Sequence, residues 1–570
     1  MNKLFASALV FGMIGALVTA LFLEMGARNV TEWGKTFARD EDYNLLVEGF
    51  QRGQLSLHKE TPPELGQLVD PYDPVANARY RAIPYGLDDL SFYRGKLYLY
   101  FGAVPALLLF WPWAAFTGDY LFQRMAVAVF CSVGFLASLG ILHGWCRRYF
   151  SQVGLGVAAA LAMTLGLATS APILLQKADV WEVPIACGYA LSMLALGAIW
   201  RAWHDEAKRA WWLAAASLAM GLAIGSRPSL LFGALLLFVP IGWRFRAPPP
   251  RFGRLLLCAL GPLVLCGIGI MIYNQQRFGS AADFGEHYQL GLYRQDTAQH
   301  FSPDFFGFNV WVYFLEPAQW SGHFPFVGEI AKWLTPPAGH GPVEDPFGVL
   351  ANIPVLLFAG AAPLAWRDRP EGARAALRGF VVAAAVLFGT SALTLCLFYG
   401  NCSRYEMDFL PALALLAVGG ILGLERALAS RRSWLWAGRA AWGLSLIFSA
   451  AFVAGMSLER YADQRYRLGN ALMASHRTAE AITQYELALR FKPDFADDCA
   501  NLGAALVRSG RVAEAIERDE QALRLAPNAA LTHYNLAGAL RMAGREQEAQ
   551  AEYQKAIWLR PELGNGGKAP

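Results

Sequence analysis

Apolar runs of about 20 residues recur along the first four-fifths of the chain, each long enough to cross a hydrocarbon core of about 30 Å as a helix. They lie at 4–24, 121–144, 153–174, 183–203, 254–273, 346–365, 377–399, 407–424 and 436–456. A further run, 210–243, carries Arg227-Pro228 at its middle. A charged, helix-breaking pair at that depth is costly in lipid, so this run predicts two short helices meeting at one surface. The expected fold class is all-α: a polytopic membrane helix bundle of about eleven spans over residues 1–458. The first run outlasts a typical secretory core and predicts a retained anchor, although Val18-Thr19-Ala20 weakly imitates a cleavage site.

Residues 97–116 are ambiguous, and loop charge arbitrates. If this segment is re-entrant or lies on the surface, five consecutive short loops become basic and cytoplasmic. These hold Arg147 and Arg148; Arg201, Lys208 and Arg209; Arg244, Arg246, Arg251 and Arg254; Arg367, Arg369, Arg374 and Arg378; and Arg426, Arg431, Arg432 and Arg439. Pro105 and Pro112 also suit an irregular helix. The opposite, outer face then receives 25–96, 175–182, the Arg227-Pro228 turn, 274–345 and 400–406. Loops 25–96 and 274–345 are too long and too rich in Tyr, Trp, Pro and charge for plain connectors.

From residue 459 the pattern turns polar, helical and Ala-rich, with Pro493, Pro527 and Pro561 repeating at a 34-residue period. Leu468, Gly469, Ala481, Tyr485 and Ala488 match the tetratricopeptide pattern, followed by Leu502, Gly503, Ala515 and Ala522, then Leu536, Ala537, Ala549, Tyr553 and Ala556. Asp519 stands where an aromatic is usual, and Ala537 where Gly is usual. Three repeats are expected over 459–563, forming an α-solenoid on the outer face, with a flexible tail at 564–570.

Composition agrees with a membrane protein: 55% of the 570 residues are hydrophobic and only 16% charged, against about 25% charged in ordinary soluble domains. A net charge of +4 carries no nucleic-acid signature. The eight cysteines form no CxxC pair, and most, such as Cys131, Cys187, Cys258, Cys266 and Cys396, fall in apolar runs, so neither a zinc site nor a disulfide framework is readable. The sequons Asn29-Val30-Thr31 and Asn401-Cys402-Ser403 matter only in a eukaryotic secretory context.

Chemistry is first suggested by Asp40-Glu41-Asp42, three adjacent acids just beyond the first span. Tyr43, Leu46, Val47 and Phe50 at helical spacing predict a short amphipathic helix starting near Glu41. The plain reading is that Asp40 caps it while Glu41 and Asp42 favour its dipole. Lys177, Arg227 and Arg404, each at a span end on the outer face, could bind a phosphate or simply snorkel. Tyr405 and Asp408 are placed at helical spacing to hold Arg404. Asp179 and Glu182, three apart, could position an acceptor or a divalent metal, or be solvated loop acids. The segment 273–291 mixes aromatic, amide and charged groups suited to shaping a sugar site or to an interfacial loop.

Asp40-Glu41, Tyr43 and Gly53-Gln54-Leu55, following a membrane helix, resemble the fold-C glycosyltransferases that use lipid-phosphate sugar donors, the superfamily of protein O-mannosyltransferases and the lipid A aminoarabinose transferase. DLSFYRGKLYLYFGAVPALLLF resembles their surface helix after the first loop, Gln123-Arg124 the start of their second span, and QKADVWEVPI a loop carrying another acid. The resemblance implies inverting transfer of a sugar from a polyprenyl-phosphate donor to a protein or cell-envelope acceptor on the non-cytoplasmic face. A carboxylate takes the proton from the acceptor hydroxyl in such a transfer. Asp40 is the position picked, with Glu41 and Asp42 as alternatives, and Arg404, Arg227 and Lys177 would bind the donor phosphate. No cofactor beyond a possible divalent metal is implied. The implied setting is a bacterial inner membrane with the active face and repeats in the periplasm, the repeats engaging a protein partner or the acceptor. The alternatives are an oligosaccharide transferase of the O-antigen-ligase type, and a non-enzymatic scaffold acting through its repeats.

Overall fold

The computed structural model describes residues 3–28, 37–81, 85–242, 252–322, 324–327, 335–493 and 495–564. The sequon Asn29-Val30-Thr31, the basic Arg244, Arg246 and Arg251, and the tail residues 565–570 lie outside the described residues. The chain divides into two compact units, Met1–Ala318 with Glu329–Ala454, and Gln319–Gly328 with Gly455–Pro570.

In the first unit, α1 (Lys3–Arg28) exposes Leu9, Met13, Leu17 and Leu21 as one stripe and buries Phe11, Val18 and Phe22 on the other side. Such a stripe is natural in lipid, where the surroundings are as apolar as leucine. α2 (Asp42–Gln51) follows, burying Tyr43, Leu46 and Val47 completely, as its periodicity predicts. Strands β1 (Ser91–Tyr93) and β2 (Lys96–Tyr98) then pair antiparallel, with Ser91 opposite Tyr98 and Tyr93 opposite Lys96. The two-residue turn Arg94-Gly95 has both φ values positive, 50° and 76°, which matches the right-handed twist of a hairpin.

The hairpin revises the expectation of a surface helix throughout 89–110, since only its second half is helical. α3 (Ala106–Thr117) is a short apolar helix, π-helical over Ala106–Phe110 and α-helical over Trp111–Thr117, and at no more than about 18 Å it falls short of crossing. Gly102 just before it lies against Gly225, where a Cβ would sit 1.6 Å from the carbonyl oxygen. The hairpin end is thereby seated on the Arg227 turn.

Eight helices among the described residues are long and apolar enough to cross a membrane. These are α1, α4 (Gln123–Arg148), the broken helix Leu155–Lys177 whose regular part is α5 (Leu155–Leu167), α6 (Glu182–His204), α8 (Phe252–Phe278), α9 (Glu371–Leu397), α10 (Leu410–Ala427) and α11 (Arg432–Ala474), with α7 (Arg209–Ser226) lying between α6 and α8. The remaining expected spans take another form. The 210–243 run breaks at Arg227, whose backbone is extended (φ −141°, ψ 94°), and resumes as a 3₁₀ helix at Pro228–Phe238. Pro354–Ala365, within the expected span 346–365, is likewise 3₁₀. A 3₁₀ coil rises about 2.0 Å per residue, so these pieces reach about 22–24 Å with few residues.

α11 supplies the last apolar span and the first helix of the second unit. The helices α12 (Thr478–Phe491), α13 (Ala496–Arg508), α14 (Val512–Leu525), α15 (Ala530–Met542) and α16 (Glu546–Leu559) complete three tetratricopeptide helix pairs. Tyr485 is buried over Gly469 and donates its hydroxyl to Asn470 at 2.7 Å. Asp519 occupies the corresponding place in the second repeat, fully buried against Gly503.

Candidate active site

The three acids of the first loop separate. Asp40 ends a 3₁₀ turn and is exposed, whereas Glu41 and Asp42 are buried. Glu41 flanks α2 but makes no side-chain cap to it. Its carboxylate instead accepts the backbone N–H of Gln123, the first residue of α4, at 2.6 Å. A helix begins with unsatisfied N–H groups and a positive dipole end, so Glu41 meets both needs of α4. The Asn44 amide donates to the carbonyls of Ala38 (2.6 Å) and Leu121 (2.8 Å), and Tyr43 stacks on Phe110 with centroids 5.2 Å apart. Further along α2, Glu48 gathers Arg39 at 2.5 Å and the Tyr120 hydroxyl at 2.7 Å. Burial would raise the Glu48 carboxyl, but these partners outweigh it and hold it below the usual range.

The cations assemble elsewhere. Ser403–Asp408 is a 3₁₀ turn, with three residues per turn in place of 3.6. Positions 404 and 408 therefore do not share a face, and Arg404 is not held by Asp408. Arg404 pairs with Glu344 at 2.8 Å, while Asp408 accepts from Arg227 Nε at 3.1 and 3.2 Å and from the Ser229 hydroxyl at 2.9 Å. Glu344 is brought to Arg404 by a parallel bridge in which Val343 and Glu344 pair with Asn401 and Cys402. Burial raises Glu344, but Arg404 and Lys177 outweigh it and leave its carboxyl below the usual range.

Two aromatic rings organise these charges. The Tyr405 ring has Arg227 4.6 Å and Arg404 5.5 Å from its centroid. The Trp181 ring has Lys177 at 5.7 Å and Arg404 at 5.8 Å. Cations at these distances are drawn to an aromatic face. Buried Glu182 accepts the backbone N–H of Asp179 at 3.0 Å and lies in the field of Arg404 and Lys177. Among the described residues no group of three or more His, Cys, Asp or Glu is arranged to hold a metal.

Asp89 joins this cluster without having been singled out from the sequence. Its Oδ2 accepts the Trp181 indole N–H at 2.7 Å and its Oδ1 the Gln289 side-chain amide at 2.8 Å. Its backbone is left-handed (φ 59°), and its N–H donates to the Leu290 carbonyl at 2.9 Å. Burial, with the neighbouring Asp88 charge, pushes its carboxyl up to about 6. The loop carrying Gln289 is anchored by Arg277 on the Leu99 carbonyl at 2.8 Å and by the Ser91 hydroxyl on the Gly285 carbonyl at 2.8 Å. The 273–291 segment thus reaches the cluster through the Gln289 side-chain amide and the Leu290 backbone.

All five segments that loop charge assigns to one face contribute. Asp89 comes from 25–96, Lys177 and Trp181 from 175–182, Arg227 from its turn, Gln289 and Glu344 from 274–345, and Arg404 and Tyr405 from 400–406. Asn401, of the second sequon, is buried, and its side-chain amide donates to the Asn309 amide oxygen at 3.0 Å. All eight cysteines are free thiols.

No protein-family model and no curated protein matches the chain. Among solved structures, the chain is similar to MamA (20% identity over 26% of this chain and 90% of MamA, TM-score 0.17) and to YrrB, a tetratricopeptide protein with an unusual peptide-binding site (18% identity over 25% of this chain and 77% of YrrB, TM-score 0.17). It is also similar to ArnT from Cupriavidus metallidurans bound to undecaprenyl phosphate, at 14% identity over 92% of this chain and 80% of ArnT, with a TM-score of 0.39.

Proposed function

We propose that this chain is an integral-membrane glycosyltransferase that takes a sugar from a polyprenyl-phosphate carrier on the non-cytoplasmic face, with inversion. The observation that carries the reading is the meeting of Lys177, Arg227 and Arg404 around the Trp181 and Tyr405 rings at the ends of apolar spans. A phosphate departing from a sugar develops charge that preorganised cations stabilise. Aromatic faces beside them suit the apolar face of a sugar ring, and the spans offer a path for a polyprenyl tail. The counter-ions Glu344 and Asp408 keep the cations in place until a phosphate competes for them. Glu41 is engaged by the start of α4, so the proton-accepting role falls to another acid of the outer loops. In this reading the tetratricopeptide unit lies on the same side of the membrane and recruits the acceptor.

The test is release of labelled sugar from a panel of undecaprenyl-phosphate monosaccharides by the purified full chain. Arg404→Ala and Lys177→Ala are expected to lose turnover by at least about 100-fold, the scale of removing one transition-state donor. Turnover only with diphosphate-linked oligosaccharides would move the protein to the O-antigen-ligase type. No turnover with any donor would favour a scaffold.

A further inference from the structure

Resting on that reading, we infer that Asp89 is the general base that takes the proton from the acceptor hydroxyl. Three observations place it there. Asp89 shares Trp181 with the phosphate-binding cations: the indole edge donates to its carboxylate while the indole face lies beside Lys177 and Arg404. Its two hydrogen bonds, one to each oxygen, fix the carboxylate plane and leave further lone pairs open, and the residue keeps partial exposure. Its left-handed backbone, uncommon for a residue with a side chain, is held by the Leu290 bridge and turns the carboxylate toward Trp181. The carboxyl's rise toward neutrality suits a base working near pH 7.

The acceptor oxygen attacks the anomeric carbon and forms the new C–O bond as its proton passes to Asp89. The bond from that carbon to the phosphate oxygen breaks, and its electron pair leaves on polyprenyl phosphate, held by Arg404 and Lys177. Asp89 then gives its proton to water. Glu41 and Asn44 meanwhile seat α2 against the start of α4.

Sugar release from the labelled undecaprenyl-phosphate donors is measured against pH for wild type, Asp89→Asn, Trp181→Phe, Asp40→Asn and Asp42→Asn, with binding of undecaprenyl phosphate measured on each. Asp89→Asn is expected to lose at least about 100-fold in turnover while binding the lipid phosphate within about twofold of wild type. The wild-type rate should rise with pH through a limb near 6. That limb is set at Asp89 by Asp88, Glu344 and Arg404 as well as by Trp181, with Tyr100 also in its field. Trp181→Phe keeps the ring but removes the donated N–H, so its limb should move to higher pH. A merely structural Asp89 would not move that limb when Trp181 is changed. Undiminished turnover in Asp89→Asn with loss in Asp40→Asn or Asp42→Asn would overturn the assignment and return the role to the first loop. No turnover by wild type with any donor would overturn this assignment and the transferase reading together.

Discussion

Glu41 shows how a single residue can mislead a sequence reading. Its position suggests an acid serving the dipole of the helix that follows it, yet its carboxylate accepts the N–H of Gln123, 82 positions later. Leaving a buried N–H without its acceptor costs about 1–3 kcal/mol. Glu41→Ala should therefore lower the thermal transition of the full chain while sugar release per folded molecule stays within about twofold. Loss of turnover without loss of stability would make Glu41 catalytic. Arg404 and Asp89 divide the same lesson. Arg404 could be read from its position at a span end, whereas its partner Glu344 comes from another loop. Asp89 carries no local signal beyond an acidic pair in a loop, because both its partners, Trp181 and Gln289, are distant in sequence.

Among the elements, long α-helical spans and the 34-residue repeat were legible because their periods persist over many residues. The 3₁₀ stretches were not, since an apolar run reads alike in either coil. That substitution moved Asp408 from Arg404 to Arg227. The hairpin at 91–98 was hidden inside an apolar segment, although Arg94-Gly95 is a turn signal. Its seating makes a sharp prediction. A methyl group at Gly102 would collide with the Gly225 carbonyl, backbone against backbone. Gly102→Ala should displace the hairpin end, lowering both the thermal transition and binding of undecaprenyl phosphate. Gly140→Ala, in open space on α4, should change neither.

At the scale of the whole molecule, the two units have different vulnerabilities. In the repeat unit, burial pushes the Asp519 carboxyl up to about 8. The unfolded chain ionises this group near pH 4 and the folded one only near 8, so this contribution to stability is complete below about pH 4. It is lost at about 1.4 kcal/mol per pH unit between the two values, then stays level. Proteolysis within residues 478–559 of the full chain should accordingly quicken from pH 5 to pH 8. Asp519→Tyr, restoring the ring that Tyr485 places over Gly469, should slow it and flatten the pH dependence. Unchanged proteolysis in that variant would remove Asp519 as the weak point.

In the membrane unit, the five segments that converge are the ones a count of loop arginines assigns to a single face, which ties local charge to the location of the proposed site. The most direct measurement of the central claim is equilibrium binding of undecaprenyl phosphate to the full chain and to an Arg404→Ala, Lys177→Ala double variant. Binding is expected to be at least about 100-fold weaker in the variant, from two lost charge-assisted contacts of about 1.5–3 kcal/mol each. Equal affinity in the two proteins would contradict it.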